Sequence, residues 1–202
     1  MIYIVDFGSQ LAHLISRRYK DLGVATELVL PEQVLARIKA NRPDGLVFSG
    51  GPASVYDQQA PQIDPAVFEL DIPIMGICYG WQLMAQKLGG EVKNTTKEYG
   101  LESLQLKQTK GIFTDCPDKL TVVMSHGDTV TTLPPDFEVI GSTQTVPFAA
   151  VQHRYKSWFG VQFHPEAEHT ESGTTLLSNF AHICKVEFSS HSLSVAELVD
   201  AV

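Results

Sequence analysis

Cys78 lies at the centre of Gly76-Ile77-Cys78-Tyr79-Gly80, between an apolar run and an amphipathic one. This is the cysteine form of a strand–turn–helix nucleophile elbow, whose usual form has Ser at the centre. The turn is tight, so small residues must flank the nucleophile. It sets the sulfur at a helix N-terminus, where free N–H groups and the helix dipole favour a thiolate. The plainer alternative is a small buried core cysteine. A nucleophilic thiol also needs a base. His164 follows the apolar run Trp158 to Phe163, at the carboxyl end where open α/β sheets place their sites. Glu166 comes two residues later, across Pro165. In an extended chain i and i+2 point the same way, so the carboxylate can orient the imidazole. Cys, His and Glu then supply nucleophile, base and orienter. Taken alone, His-Pro-Glu also fits a solvated strand exit.

A third piece is Ser49-Gly50-Gly51-Pro52, after the apolar Leu46 to Phe48. Two glycines let the backbone approach a ligand and aim N–H groups at an oxyanion. A simple turn is the competing reading. A phosphate loop is excluded, because neither G-x-x-x-x-G-K-[ST] nor G-x-G-x-x-G occurs.

These residues need a frame. Met1 to Asp6, Val24 to Leu30, Leu46 to Phe48 and Ile72 to Ile77 read as strands. Between them, Leu11, Leu14, Ile15, Tyr19 and Leu22 keep a helical period, with Gly23 as a cap. Pro31 opens a second helix with Val34, Leu35 and Ile38 on one stripe. Tyr79 to Leu88 forms a third helix, closed by Gly89-Gly90. Repeated β-α-β units predict an α/β fold: a three-layer, open, mainly parallel sheet with helices on both faces. The second half changes character. Leu101 to Leu106, Leu120 to Met124, Phe137 to Ser142, Phe148 to His153 and Trp158 to Phe163 predict short strands in a mixed or antiparallel extension. Leu176, Leu177, Phe180 and Ile183 mark a closing helix. Near the end, Ser194-Val195-Ala196-Glu197 is a capping-box pattern. It predicts a helix that is either docked on this domain or the first of a following one.

Composition bounds the partners. The chain has 202 residues, 15 basic against 23 acidic, and a net charge of −8. That length suits one domain with its own core. The acidic balance and the lack of a Lys/Arg cluster argue against nucleic acid and membrane surfaces. No apolar run approaches the roughly 20 residues of a membrane helix, and no signal peptide is legible. Three scattered cysteines make no disulfide framework, so a cytoplasmic, reducing setting is expected. No metal site is expected: His13, His153, His182 and His191 lack ligand spacing, and nothing completes a zinc set around His164 and His169. Cys116 and Cys184 have no base nearby in sequence and read as structural.

Five segments occur in order: Asp6-Phe7-Gly8-Ser9-Gln10, Ser49-Gly50-Gly51-Pro52, Gly76-Ile77-Cys78-Tyr79-Gly80, Met124-Ser125-His126-Gly127-Asp128 and Gln162-Phe163-His164-Pro165-Glu166. Together they resemble the class I (triad-type) glutamine amidotransferases, and within that class the amidotransferase domain of GMP synthases. The resemblance runs from Met1 to about Cys184. It implies a flavodoxin-like amidotransferase fold over residues 1–184, with 185–202 as a linker and the possible start of a synthetase domain or a terminal helix. It further implies that Cys78 is the nucleophile, His164 the base and acid, and Glu166 the orienter. Gly51 and Tyr79 would give the oxyanion N–H groups, and Gln82, Gly127 and Asp128 would hold the glutamine backbone. The partners implied are L-glutamine and an ATP-pyrophosphatase module, as domain or subunit, that aminates XMP to GMP. No cofactor is expected in this chain; ATP and Mg would belong to that module. Two positions depart from the pattern. Ala167-Glu168 stands where a Val-Thr or Val-Ser pair is common, and Trp81 is bulky for the elbow helix. A γ-glutamyl hydrolase or a non-catalytic relic are the rival readings. The first leaves the opening segment and Ser125-His126-Gly127-Asp128 unexplained, and a complete triad argues against the second.

Overall fold

The computed structural model describes residues 1–189. The capping-box segment near residue 194 lies outside them. The elements run β1 (Ile2–Val5), α1 (Leu11–Asp21), β2 (Thr26–Val29), α2 (Val34–Ala40), β3 (Gly45–Phe48), β4 (Ile74–Ile77), α3 (Tyr79–Lys87), β5 (Glu91–Leu106), β6 (Lys119–Thr132), β7 (Phe137–Ser142), β8 (Ala150–His153), β9 (Trp158–Val161) and α4 (Gly173–Ile183). One nine-stranded sheet has the order β2-β1-β3-β4-β9-β8-β7-β5-β6. Strands β2, β1, β3, β4 and β9 are parallel neighbours. From β9 onward every pairing is antiparallel. The predicted α/β class and its antiparallel extension thus form one sheet.

The central strands are buried on both faces, which is why they read as continuous apolar runs. Two cores flank the sheet. Ile2, Ile4, Val47, Met75 and Ile77 face one, with Ile15 of α1 and Leu177 and Phe180 of α4. Tyr3, Val5, Leu46, Phe48 and Ile74 face the other, with Val34 and Ile38 of α2 and Trp81, Leu83 and Met84 of α3.

The antiparallel half differs most from expectation. Strands predicted at Leu101 to Leu106 and Leu120 to Met124 are parts of a long hairpin, Glu91–Leu106 on Lys119–Thr132. The extra length is polar, as in Asn94-Thr95-Thr96-Lys97-Glu98, and lacks alternation. It is held by cross-strand pairing instead, with a register shift between Asn94 and Glu98. The segment read as a linker begins against the domain: Val186 is buried, Phe188 stacks on His182, and Ser189 N–H donates to the Gly23 carbonyl at 2.8 Å.

Candidate active site

The carboxyl ends of β1, β3, β4 and β9 open on one cavity of about 540 Å³. Its lining includes Gly51, Cys78, Gln82, Gly127, Asp128 and His164, bringing together residues far apart in sequence.

Cys78 has φ 50° and ψ −108°, a conformation L-residues rarely adopt. Backbone bonds hold it there. Its N–H donates to Val161 O at 2.8 Å, Gly80 N–H donates to Ser49 O at 3.1 Å, and Gln82 N–H donates to Cys78 O at 3.0 Å. The flanking glycines are required by contact. A Cβ on Gly80 would lie 2.3 Å from Phe48 O, and one on Gly76 would lie 2.8 Å from the Trp81 backbone. Bulky Trp81 fits because β9 offers a glycine beneath it: a Cβ on Gly160 would sit 2.3 Å from the indole.

His164 is 4% exposed and Glu166 0%. His164 Nδ1 lies 2.8 Å from Glu166 Oε1. The link is a turn, closed by Ala167 N–H on His164 O at 3.2 Å, and not the extended chain predicted. The Thr170 hydroxyl donates to the same carbonyl at 2.7 Å and so pins the turn from its far end. Proline still suits it, since the turn uses no N–H at position 165. Glu166 Oε2 finds no partner among the described residues, so the imidazole is the main support of this buried carboxylate. Burial alone would push the His164 pKa down. The Cys78 sulfur and the Glu166 carboxylate outweigh burial and raise it to about 10. His164 therefore keeps its proton at neutral pH. Gly50 gives the ring room, because a Cβ there would come 3.1 Å from Cε1.

Ser49 ties the glycine loop to the elbow. Its hydroxyl accepts from Phe7 N–H at 3.1 Å and donates to Gly50 O at 2.8 Å. Among the described residues, neither Gly51 N–H nor Tyr79 N–H donates to a protein acceptor. The Tyr79 hydroxyl donates to Pro61 O at 2.6 Å. Burial first, and Asp57 second, push that phenol up to about 12, so it works as an anchor and not as an acid.

One turn past the elbow on α3, Gln82 Nε2 donates to Asp128 O at 2.7 Å and to Gln162 Oε1 at 3.3 Å. Gln162 Nε2 in turn lies 3.6 Å from Cys78 Sγ. The Asp128 carboxylate accepts from Ser54 Oγ, from the Tyr56 hydroxyl at 2.8 Å and from Asn94 Nδ2 at 3.1 Å. Burial would raise the Asp128 pKa, but bonds from Ser54, Tyr56 and Asn94, and the nearby His126, hold it below the usual carboxylate value. An ionised carboxylate offers about four acceptor positions. Three are taken, leaving room for one ligand donor. Ser54, Tyr56, Asn94 and Thr170 carry no signal in the sequence, because their partners are dozens of residues away or across a turn. Gln162 stands inside a quoted segment but has no signal of its own. Cys78, Cys116 and Cys184 are all free thiols. Among the described residues no group of three or more His, Cys, Asp or Glu could hold a metal ion, and no helix is long and apolar enough to cross a membrane.

Fold and site together define a class. The glutamine amidotransferase class-I family model matches residues 3–184, and the chain belongs to that family. Among its relatives, the GMP synthase [glutamine-hydrolyzing] of Gloeobacter violaceus is 46% identical over 189 residues, which are 93% of this chain and 34% of that protein. The GMP synthase [glutamine-hydrolyzing] of Lactococcus lactis is 45% identical over 185 residues, 91% of this chain and 36% of its own length. The chain thus spans about a third of these relatives. A solved structure from Thermoplasma acidophilum, described as a GMP synthase subunit, superposes with a TM-score of 0.83 at 32% identity, covering 91% of this chain and 93% of that one. A glutamine amidotransferase of Thermotoga maritima shares the fold at a TM-score of 0.65 and 21% identity, over 91% of this chain and 81% of its own.

Proposed function

We propose that this chain hydrolyses L-glutamine to glutamate and ammonia, and hands the ammonia to an ATP-dependent module that aminates XMP to GMP. One observation carries the first half: a strained, buried thiol and His164, backed by the buried Glu166, line one cavity with the Asp128 carboxylate. The second half rests on similarity to GMP synthases.

In the first step the Cys78 thiolate attacks the side-chain amide carbon of glutamine. The amide oxygen becomes an oxyanion facing the free Gly51 and Tyr79 N–H groups. Such a donor is typically worth about 10²–10³ in rate. The His164 imidazolium gives its proton to the departing nitrogen, the C–N bond breaks, and ammonia leaves a glutamyl thioester on Cys78. His164, now neutral, takes a proton from water. The resulting hydroxide attacks the thioester, and the C–S bond breaks to return Cys78 and release glutamate. Glu166 keeps the ring oriented and offsets its charge throughout. Gln82, the Gly127 backbone and the Asp128 carboxylate bind the amino and carboxylate end of the substrate. ATP and Mg act in the partner module, which is a further domain or a separate subunit. Buried free thiols suit a reducing, cytoplasmic setting.

The test is glutamate release from L-glutamine, measured beside γ-glutamyl peptides and repeated with the synthetase portion of a GMP synthase, ATP and XMP. Glutamate from free glutamine, rising when the synthetase is added, is the expected result. Turnover of the peptides with none of free glutamine would replace this reading by a γ-glutamyl hydrolase.

A further inference from the structure

The segment Met124-Ser125-His126-Gly127-Asp128 contains one titratable side chain with no part in the chemistry above. His126 lines the cavity, yet its residue is only 4% exposed. Its Nε2 lies 3.2 Å from Glu98 Oε2, and its Nδ1 lies 3.5 Å from Thr129 Oγ1. Glu98 is 6% exposed, and its other oxygen has no partner among the described residues. A buried carboxylate supported chiefly by one imidazole is costly to build, so its place in the fold asks for a reason.

The register of the hairpin gives that reason. Asn94 pairs with Asp128 and Glu98 with His126, so three residues of β5 stand opposite Gly127 alone. Left to itself, such a bulge is a weak point in the ladder. Two cross-strand ties bracket it. On one side Asn94 Nδ2 donates to Gly127 O at 3.0 Å and to the Asp128 carboxylate. On the other side stands the Glu98–His126 pair. Gly127 has no side chain to pack, so its backbone is placed only by what holds its neighbours.

We propose that Glu98 and His126 are positioning residues that fix the Gly127–Asp128 corner for the α-amino and carboxylate groups of the substrate, and so set glutamine affinity and not thiol reactivity. The proposal rests on the reading of this cavity as a glutamine site. Displaced binding groups leave the charged ends of the substrate imperfectly paired, which weakens recognition. Cys78 and His164 are set by β4, α3 and β9, and their contacts with β6, Cys78 Sγ 3.7 Å from Ser125 O and His164 N–H donating to Val123 O at 3.0 Å, run to main-chain carbonyls and not to the Glu98 or His126 side chains.

The test uses the full chain and two electrophiles on Cys78. A glutamine-mimicking diazo-ketone must bind through the α-amino and carboxylate groups before it reacts, whereas iodoacetamide needs only an accessible thiolate. In His126→Ala, the diazo-ketone concentration giving half-maximal labelling should rise about tenfold, while the iodoacetamide rate stays within about twofold of the unsubstituted chain. Glu98→Gln keeps a hydrogen-bonding group in the same shape and should show a smaller rise. It also serves if His126→Ala does not fold. Equal half-maximal concentrations, or parallel loss of both reactions, would overturn the positioning role. Failure of the unsubstituted chain to label with the diazo-ketone, with iodoacetamide still reacting, would instead overturn the glutamine reading itself.

Discussion

Strands β1, β3, β4 and β9 present their carboxyl ends to the cavity, whereas the β5–β6 hairpin presents its middle. The parallel half delivers Cys78, the Ser49-Gly50-Gly51 loop and His164 from strand termini that the sheet holds rigidly. There a helix N-terminus and unpaired N–H groups are a by-product of topology. The antiparallel hairpin delivers Ser125 to Asp128 from within a strand, and it can do so only by breaking its own ladder with a bulge. The proposed function would thus place the chemistry in the half where backbone geometry is over-determined. It would leave substrate selection to the half whose contacts with Cys78 and His164 run through the Ser125 and Val123 carbonyls and whose side-chain ties can be varied separately.

If that division holds, substitutions in the parallel half depress kcat and those in the hairpin raise KM. The largest effect belongs to Cys78→Ala and His164→Ala, each expected to lower glutamine turnover by about 10⁴-fold or more. Next is Glu166→Gln, which keeps the shape but removes the charge facing His164, with an expected loss of about 10²–10⁴ in kcat and little change in KM. The same substitution has a pH signature. The folded-state pKa of His164 is raised to about 10 from an ordinary value near 6.5. The native state therefore holds the extra proton between those values. Its stabilising contribution is complete below about 6.5 and is lost as pH rises through about 10. Denaturant midpoints should fall with pH across that window in the unsubstituted chain, and less steeply in Glu166→Gln.

Gly80→Ala tests the elbow itself. Its Cβ would meet Phe48 O, and overpacking of this kind costs about 1–3 kcal/mol. The expected result is a lower urea midpoint together with lost activity. The smallest effect is in the hairpin. Asn94→Ala removes donors to Gly127 O and Asp128, each worth about 1 kcal/mol, so KM should rise by up to about thirtyfold at nearly constant kcat. A fall in kcat with KM unchanged would break the division between the two halves.

The same division governs what the sequence made legible. Strands buried on both faces announce themselves, as Ile2–Val5 and Ile74–Ile77 do, and so does the elbow between β4 and α3. The glycines around Cys78 are readable because close backbone contact admits no other residue. Residues 91–100 give no such signal, since a polar bulged strand is stabilised by its partner and not by apolar alternation. For the same reason Asn94, Ser54 and Tyr56 are invisible in the sequence as partners of Asp128. Trp81 looks too large until Gly160 is seen beneath it. The His164–Glu166 contact is expected from the spacing, but a turn and not an extended link makes it.

In the proposed reaction Cys78 is the residue that attacks glutamine. The most direct measurement is an intact mass of the full chain after exposure to a glutamine-mimicking diazo-ketone, with peptide mapping and L-glutamine as competitor. The expected result is a single adduct on Cys78, suppressed by L-glutamine and absent in Cys78→Ala. Labelling that persists in Cys78→Ala, or that L-glutamine does not suppress, would contradict it.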